Sequence, residues 1–149
     1  MHRQLFEDAY AIIDGVPDPR IYLNSWQKLP AGRHLYVRGA EEITCNTIAC
    51  AAGWLTLHPA MQALGLRAGV AGEPTFEDSE GIERWDYDAL AHFFGLEYSQ
   101  AEKLFCPREC SRTPLISKEV AAKLTDRELW LARARELLKE EDHECSTPT

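Results

Sequence analysis

The chain has 149 residues, of which 45% are hydrophobic and 27% charged, and its formal net charge is −8 at pH 7. This composition excludes a disordered chain, and the length suffices for one domain whose core needs neither a metal nor a disulfide. The negative charge opposes non-specific binding to nucleic acid, which depends on neutralising phosphates.

The beginning of the chain does not have the pattern of a signal peptide, because Glu7, Asp8 and Asp14 interrupt its apolar positions. No apolar run approaches the roughly 20 residues that span a bilayer. We therefore predict a cytoplasmic protein with no membrane partner. We expect one globular domain over 1–144 and a frayed tail over 145–149.

Apolar residues at helical spacing predict a first helix over residues 3–14, which Gly15 and Pro17 would end. The following segment, 21–38, is ambiguous. Its Ile-Tyr-Leu and Leu-Tyr-Val triplets are typical of short strands, and the residues 29–32 between them are typical of a turn.

The next predicted helix is apolar on nearly every side, which is typical of a buried helix. Asn46 is its expected cap, and the helix continues from Thr47 to Leu55. Its small residues would let another helix approach closely: Ala49, Ala52 and Gly53. A further helical turn is predicted from Pro59 to Leu64.

Residues 65–85 are interpreted as a loop that could form a small β-hairpin. Asp86 is the expected cap of a helix through Phe94, and Ser99 to Glu102 and Thr125 to Glu128 have the pattern of capping boxes for two later helices. The last of these helices is expected to run to about residue 141. The predicted fold class is mainly α, a compact single-domain helical bundle.

Between Glu73 and Asp88 lie seven acids and one base, Arg84. Such a stretch is usually a solvated loop, but it could also mimic nucleic acid or attract a basic partner. Within it, Trp85 and Tyr87 could be contact residues or could simply fix the start of the next helix. The candidate partner-binding residues are Glu77, Asp78, Glu80, Trp85 and Tyr87.

The five cysteines are an odd number, which favours reduced or metal-bound thiols over disulfides in a cytoplasmic protein. Ordinary packing of reduced thiols is favoured, so no cofactor is expected. The alternative is a zinc-stabilised module, because two pairs have spacings near those of zinc knuckles: Cys45, Cys50, Cys106 and Cys110.

Residues 88–105 have the outline of a helix-turn-helix around Gly95. The second helix offers Glu97, Gln100, Glu102 and Lys103 to a groove, and its acids oppose DNA binding. A nucleic-acid-binding regulator is therefore the second hypothesis.

No catalytic motif stands out in the sequence. The three central histidines, His34, His58 and His92, have no recognised metal-binding spacing, and the glycines match no phosphate-binding loop. An enzyme is the disfavoured class.

The segment Cys45-Asn-Thr-Ile-Ala-Cys-Ala-Ala-Gly-Trp54 resembles a Cys-Gly-Thr-x-x-Cys-x-x-Gly-(Trp or His) signature of small uncharacterised phage and prophage proteins. Gly95 to Phe105 is similar to their later Gly-Leu-x-x-x-Gln-Ala-x-x-Leu-Phe segment, and Trp26 matches an upstream tryptophan. Asn46 stands where that signature has glycine. The resemblance implies a phage or mobile-element origin and no particular reaction.

The leading hypothesis is a small phage-type accessory protein that binds a host or phage protein, with inhibition of a host factor as one form of that activity. It rests on the localised acidity, the lack of catalytic groups and the resemblance.

Overall fold

A computed structural model describes residues 1–29, 35–44, 46–109 and 114–145. Most of the turn predicted at 29–32, the cysteines at 45 and 110, and residues 146–149 of the predicted tail lie outside the described residues.

The described residues combine helices with two small sheets. The helices are α1 (Arg3–Asp14), α2 (Ala51–Leu57), α3 (Pro59–Ala63), α4 (Asp86–Phe94), α5 (Tyr98–Phe105), α6 (Lys118–Ala121) and α7 (Asp126–Cys145). The strands are β1 (Gln27–Lys28), β2 (Ile48–Ala49), β3 (Arg67–Ala68), β4 (Pro74–Glu77) and β5 (Glu83–Trp85). The fold is therefore a mixture of helices and sheet rather than a purely helical bundle.

The core lies where α1, α4, α5 and α7 meet, and aromatic side chains connect these helices. Phe6 of α1 contacts Phe94 of α4 edge-on, with ring centroids 6.0 Å apart. Phe94 stacks on Phe105 of α5, which in turn contacts Trp130 of α7 at 5.8 Å. All four rings are almost fully buried. Truncating a ring in such a site costs about 3–5 kcal/mol.

Helix α2 is buried along its whole length, as its composition predicts, but it starts later than expected. Ile48 and Ala49 form strand β2, which pairs with Lys28 and Gln27 of β1. The cap is Cys50, whose thiol accepts the Gly53 N–H at 3.4 Å, so the prediction of Asn46 as the cap is wrong. Pairing with β1 holds these residues extended, and it comes from a distant part of the chain.

The small residue Gly53 does permit a close approach, but the approaching element is the backbone of Trp26 rather than a helix. A Cβ atom at Gly53 would overlap the Trp26 carbonyl oxygen. The same oxygen accepts the Cys50 N–H at 3.1 Å. Residues 26, 50 and 53 are thus in direct contact at the start of α2.

Residues 67–85 form a three-stranded antiparallel sheet in the order β3-β4-β5, where the sequence indicated a loop or one hairpin. The two triplets in 21–38 form no strands. Ile21 makes a single parallel bridge to Ala49. Val37 is held by the buried side chain of Gln27, which donates to its carbonyl at 2.6 Å and accepts its N–H at 2.9 Å.

Local signals predict several helix ends correctly, but the prediction of Asp86 as the cap of α4 is wrong. Asp86 is the first residue of the helix, and its N-cap, Trp85, makes no side-chain cap hydrogen bond. Gly95 ends α4 with φ of 63°, a conformation that favours glycine, and the Leu96 N–H closes the turn on Ala91. The capping box at Thr125 and Glu128 is present. The predicted box at Ser99 is wrong, because the box of α5 is formed by Glu97 and Gln100.

At the C-terminal side, α7 extends to Cys145, beyond the predicted end, and the short helix α6 was not predicted. None of the helices described is long and apolar enough to cross a membrane.

The contact at Gly53 predicts that Gly53→Ala destabilises the protein by about 3 kcal/mol, since the added methyl group would have to displace backbone rather than a flexible side chain. Urea unfolding followed by circular dichroism measures the change.

Gly15→Ala is the matched control. Gly15 has a negative φ, and a Cβ there would meet neighbouring atoms at no less than 3.4 Å. This variant should be as stable as the parent or slightly more stable. An unchanged urea midpoint for Gly53→Ala would show that the Trp26 backbone is not a fixed part of the core.

Candidate functional site: an acidic sheet face and an adjoining aromatic groove

The turn between β4 and β5 is built around Asp78. Its Oδ1 accepts the backbone N–H groups of Glu80 and Ile82 at 2.9 and 3.0 Å. Its Oδ2 pairs with Arg84 at 2.9 Å. The hydrogen bond from Ile82, and then the contact with Arg84, lower the pKa of Asp78. Asp78, a predicted partner-binding residue, therefore has a structural role within the turn.

Arg84, the one base of the acidic stretch, also contacts Asp88 of α4 at 3.3 Å. It thus ties the hairpin to the first turn of α4 and pairs with two of the seven acids, while its single positive charge offsets one of theirs. The remaining acids of the stretch form no ion pair within the part of the chain that the structure describes.

Strand register places Glu77, Glu83 and Trp85 on the same face of the sheet. Glu77 lies directly opposite Glu83, and Trp85 lies opposite Thr75. All three side chains are exposed, and Trp85 keeps 56% of its surface accessible. Like charges directly opposite each other in a sheet are destabilising. We call these three residues the acidic sheet face.

Two neighbours modify the acidic sheet face. Ile82, in the hairpin turn, adds an exposed apolar side chain, whereas Arg67 of β3 adds a positive charge opposite Thr75. Glu80, another predicted partner-binding residue, is exposed in the hairpin turn rather than on the paired strands.

Tyr87 has a different environment from Trp85. It is half-buried, and its ring lies between those of Trp26 at 5.3 Å and Tyr98 at 6.4 Å, edge-on to both. Tyr87 thus packs the start of α4 against the segment that leads into β1, whereas the Trp85 side chain is exposed. Tyr98 is itself exposed.

Tyr87 also lines an open groove of about 340 Å³ beside the sheet. We call it the aromatic groove; its lining residues are Leu23, Asn24, Ser25, Trp26, Gln27, Tyr36, Ala71, Tyr87, Phe105 and Pro107. It combines four aromatic rings from separate chain segments with polar side chains from the 24–27 segment. Grooves of this kind are common ligand-binding surfaces.

Asp86 lies at the junction between the acidic sheet face and the aromatic groove. Its φ is 55°, in the left-handed region that non-glycine residues rarely adopt. Although the residue is exposed, partial desolvation raises the pKa of its carboxyl group, and repulsion by Glu73 adds to the rise. Hydrogen bonding with the Trp26 side chain opposes these effects.

Two of the four candidate zinc ligands, at 45 and 110, lie outside the described residues. Cys50 and Cys106 are both buried. Burial raises the pKa of the Cys50 thiol to about 12, so this cap is protonated at neutral pH. No group of three potential metal ligands occurs among the side chains described. The zinc module remains a prediction.

The helix-turn-helix-like unit consists of α4 and α5, which pack together through the Gly95 turn. Gln100, one of its candidate base-reading residues, uses its side-chain oxygen to accept the Glu97 N–H at 3.0 Å. To contact a DNA base, the Gln100 side chain would have to give up this capping hydrogen bond. Nucleic-acid binding by this unit remains a prediction.

The sequence did not predict that Glu83 lies opposite Glu77 in the sheet. It also did not predict that the Trp26 side chain and Glu73 affect the pKa of Asp86. Alternation along Glu83-Arg-Trp85 could have indicated that Glu83 and Trp85 share a face. The contact between Trp26 and Tyr87 has no local signal.

Comparison with known proteins gives no match: no family model, no curated protein and no solved structure matches this chain.

The environment of Cys50 predicts that iodoacetamide does not modify it in the folded protein at mildly alkaline pH. Alkylation requires the thiolate, which is scarce when the pKa is about 12, and the side chain is fully buried. Peptide mass spectrometry measures the modified fraction before and after unfolding in guanidinium chloride.

An exposed thiol introduced by Val120→Cys provides the reference for an accessible site, since Val120 is half-exposed on α6. Alkylation of Cys50 in the folded protein at the rate of this reference would contradict its placement in the core.

The strain and repulsion at Asp86 predict that Asp86→Asn raises the melting temperature at neutral pH. Asparagine tolerates a left-handed φ but carries no charge. Because folding raises the pKa of Asp86, its ionised form destabilises the fold above that pKa, and the penalty disappears below the ordinary Asp pKa. The gain should therefore be largest at neutral pH and vanish in acid.

Asp86→Ala is the companion variant. Alanine also removes the charge but, unlike asparagine, does not readily adopt a left-handed φ. It should be about 1 kcal/mol less stable than Asp86→Asn. Differential scanning calorimetry over a pH series compares the proteins. A gain for Asp86→Asn that increases towards acid pH would refute the assigned direction.

Proposed function

We propose that this chain is a small phage-type accessory protein that works in the cytoplasm by binding another protein, with inhibition of a host factor as the expected effect. The partner presents a basic segment to the acidic sheet face. The phage-type assignment rests on the resemblance of residues 45–54, and the binding surface is argued from geometry and charge.

The observation that carries the proposal is the exposed indole of Trp85 beside the facing carboxylates of Glu77 and Glu83. Tryptophan is among the residues that contribute most to protein interfaces. A basic partner would relieve the repulsion between the two glutamates while it covers the indole. The acidic sheet face thus gains from an occupant both by apolar burial and by charge neutralisation.

The organisation of the hairpin supports the same function. Arg84 is engaged by Asp78 and Asp88, so it does not neutralise the acidic sheet face. The turn is held by the Asp78 carboxylate, which accepts two backbone N–H groups. A preorganised surface binds with a smaller entropic cost than a mobile one.

A photo-crosslinking amino acid at position 85 identifies the partner in host cells, and the same amino acid at position 120 is the matched exposed control. Affinity for the purified partner is then measured by isothermal titration calorimetry. Trp85→Ala should weaken binding about tenfold or more, as should the double change Glu77→Gln with Glu83→Gln.

Val120→Ala should leave the affinity unchanged, because Val120 is exposed on α6, away from the acidic sheet face. Circular dichroism checks that each variant is folded. If the folded Trp85 and Glu77/Glu83 variants bind the partner as tightly as the Val120→Ala protein, the acidic sheet face is not the binding surface.

A further inference from the structure

We propose that the aromatic groove receives the side chain of an arginine from the partner. The guanidinium group has the rings of Trp26 and Tyr87 on one side and the carboxylates of Asp86 and Glu73 on the other. This inference rests on the proposed function and deepens it, since it names a specific contact of the basic segment.

The geometry of the groove suits a flat cation. Trp26 and Tyr87 contact each other edge-on at an interplanar angle of 64°, and both line the groove together with Tyr36. Aromatic faces attract cations, and tryptophan does so most strongly. The volume of about 340 Å³ admits one long side chain rather than a folded segment.

The charges at the rim are complementary to such a ligand. Asp86 directly precedes Tyr87 in the chain, and Glu73, which accepts the N–H of the groove residue Ala71 at 2.8 Å, lies close enough to raise the pKa of Asp86 by repulsion. The two carboxylates repel each other, and neither has an ion-pair partner in the ranges that the structure describes. A cation entering between them would replace this repulsion with two attractions.

Arginine fits this arrangement better than lysine. The guanidinium group is planar and weakly hydrated, so it can stack on an indole while its edge donates to a carboxylate. The ammonium group of lysine is compact and more strongly hydrated. Elsewhere in this fold an arginine of the chain itself lies over a tryptophan: Arg20 over Trp54, at 4.6 Å from the ring centroid.

Capped glycine-serine peptides with one central arginine, citrulline, lysine or trimethyllysine provide the test. Binding is followed by the NMR signal of the Trp26 indole N–H, assigned through Trp26→Phe. The arginine peptide should shift this signal with millimolar affinity. The lysine peptides should bind several-fold more weakly, and the uncharged citrulline peptide should not bind measurably.

Asp86→Asn and Glu73→Gln should each weaken binding of the arginine peptide about threefold to tenfold, since each removes one attractive charge and keeps an oxygen acceptor. Glu119→Gln, which removes an exposed charge from α6, is the matched control and should change the affinity less than about twofold.

Equal shifts with the arginine and citrulline peptides would overturn the proposal, as would full affinity in the Asp86→Asn and Glu73→Gln proteins. Tighter binding of the trimethyllysine peptide than of the arginine peptide would identify a methylated lysine as the ligand and overturn the proposal.

The outcome is separable from that of the proposed function. Peptide binding that depends on Asp86, without any protein partner crosslinked from position 85, would support the groove and contradict the acidic sheet face. A partner whose binding requires Trp85 but is unchanged by Asp86→Asn would support the acidic sheet face and contradict the groove.

Discussion

The contact between the backbone of Trp26 and the start of α2 determines the arrangement of the rest of the structure. The Trp26 carbonyl accepts the Cys50 N–H, and it lies so close to Gly53 that no side chain fits there. This contact holds β1 against β2 and buries α2. It also sets the position from which the Trp26 ring reaches Tyr87, and so it determines one wall of the aromatic groove.

The residues that carry the phage-type resemblance thus have a structural explanation. Cys50 caps α2, Gly53 admits the Trp26 backbone, and the Trp54 indole N–H donates to the Arg20 carbonyl at 2.9 Å. Each of them positions chain segments rather than presenting a reactive group. A signature of this kind is a signature of fold, and the function has to be argued from the surface that the fold positions.

The sequence predicts what local chemistry determines. Apolar periodicity and a glycine at the end were enough for α1 and α4, and a capping box was enough to start α7. The start of α2 could not be predicted, because it depends on hydrogen bonds from residue 50 to residue 26. The acidity of the site was evident from the composition. The pairing of Glu77 with Glu83 could not be predicted, because strands of two to four residues are too short to give a periodic signal.

Three consecutive residues link the two parts of the site. Trp85 is exposed on the sheet, Tyr87 is packed in the groove, and Asp86 between them adopts the left-handed conformation that turns the chain from one surface to the other. A regular strand would place residues 85 and 87 on the same face. The unfavourable φ of Asp86 is what separates them, so one short segment of chain presents an aromatic side chain to each surface.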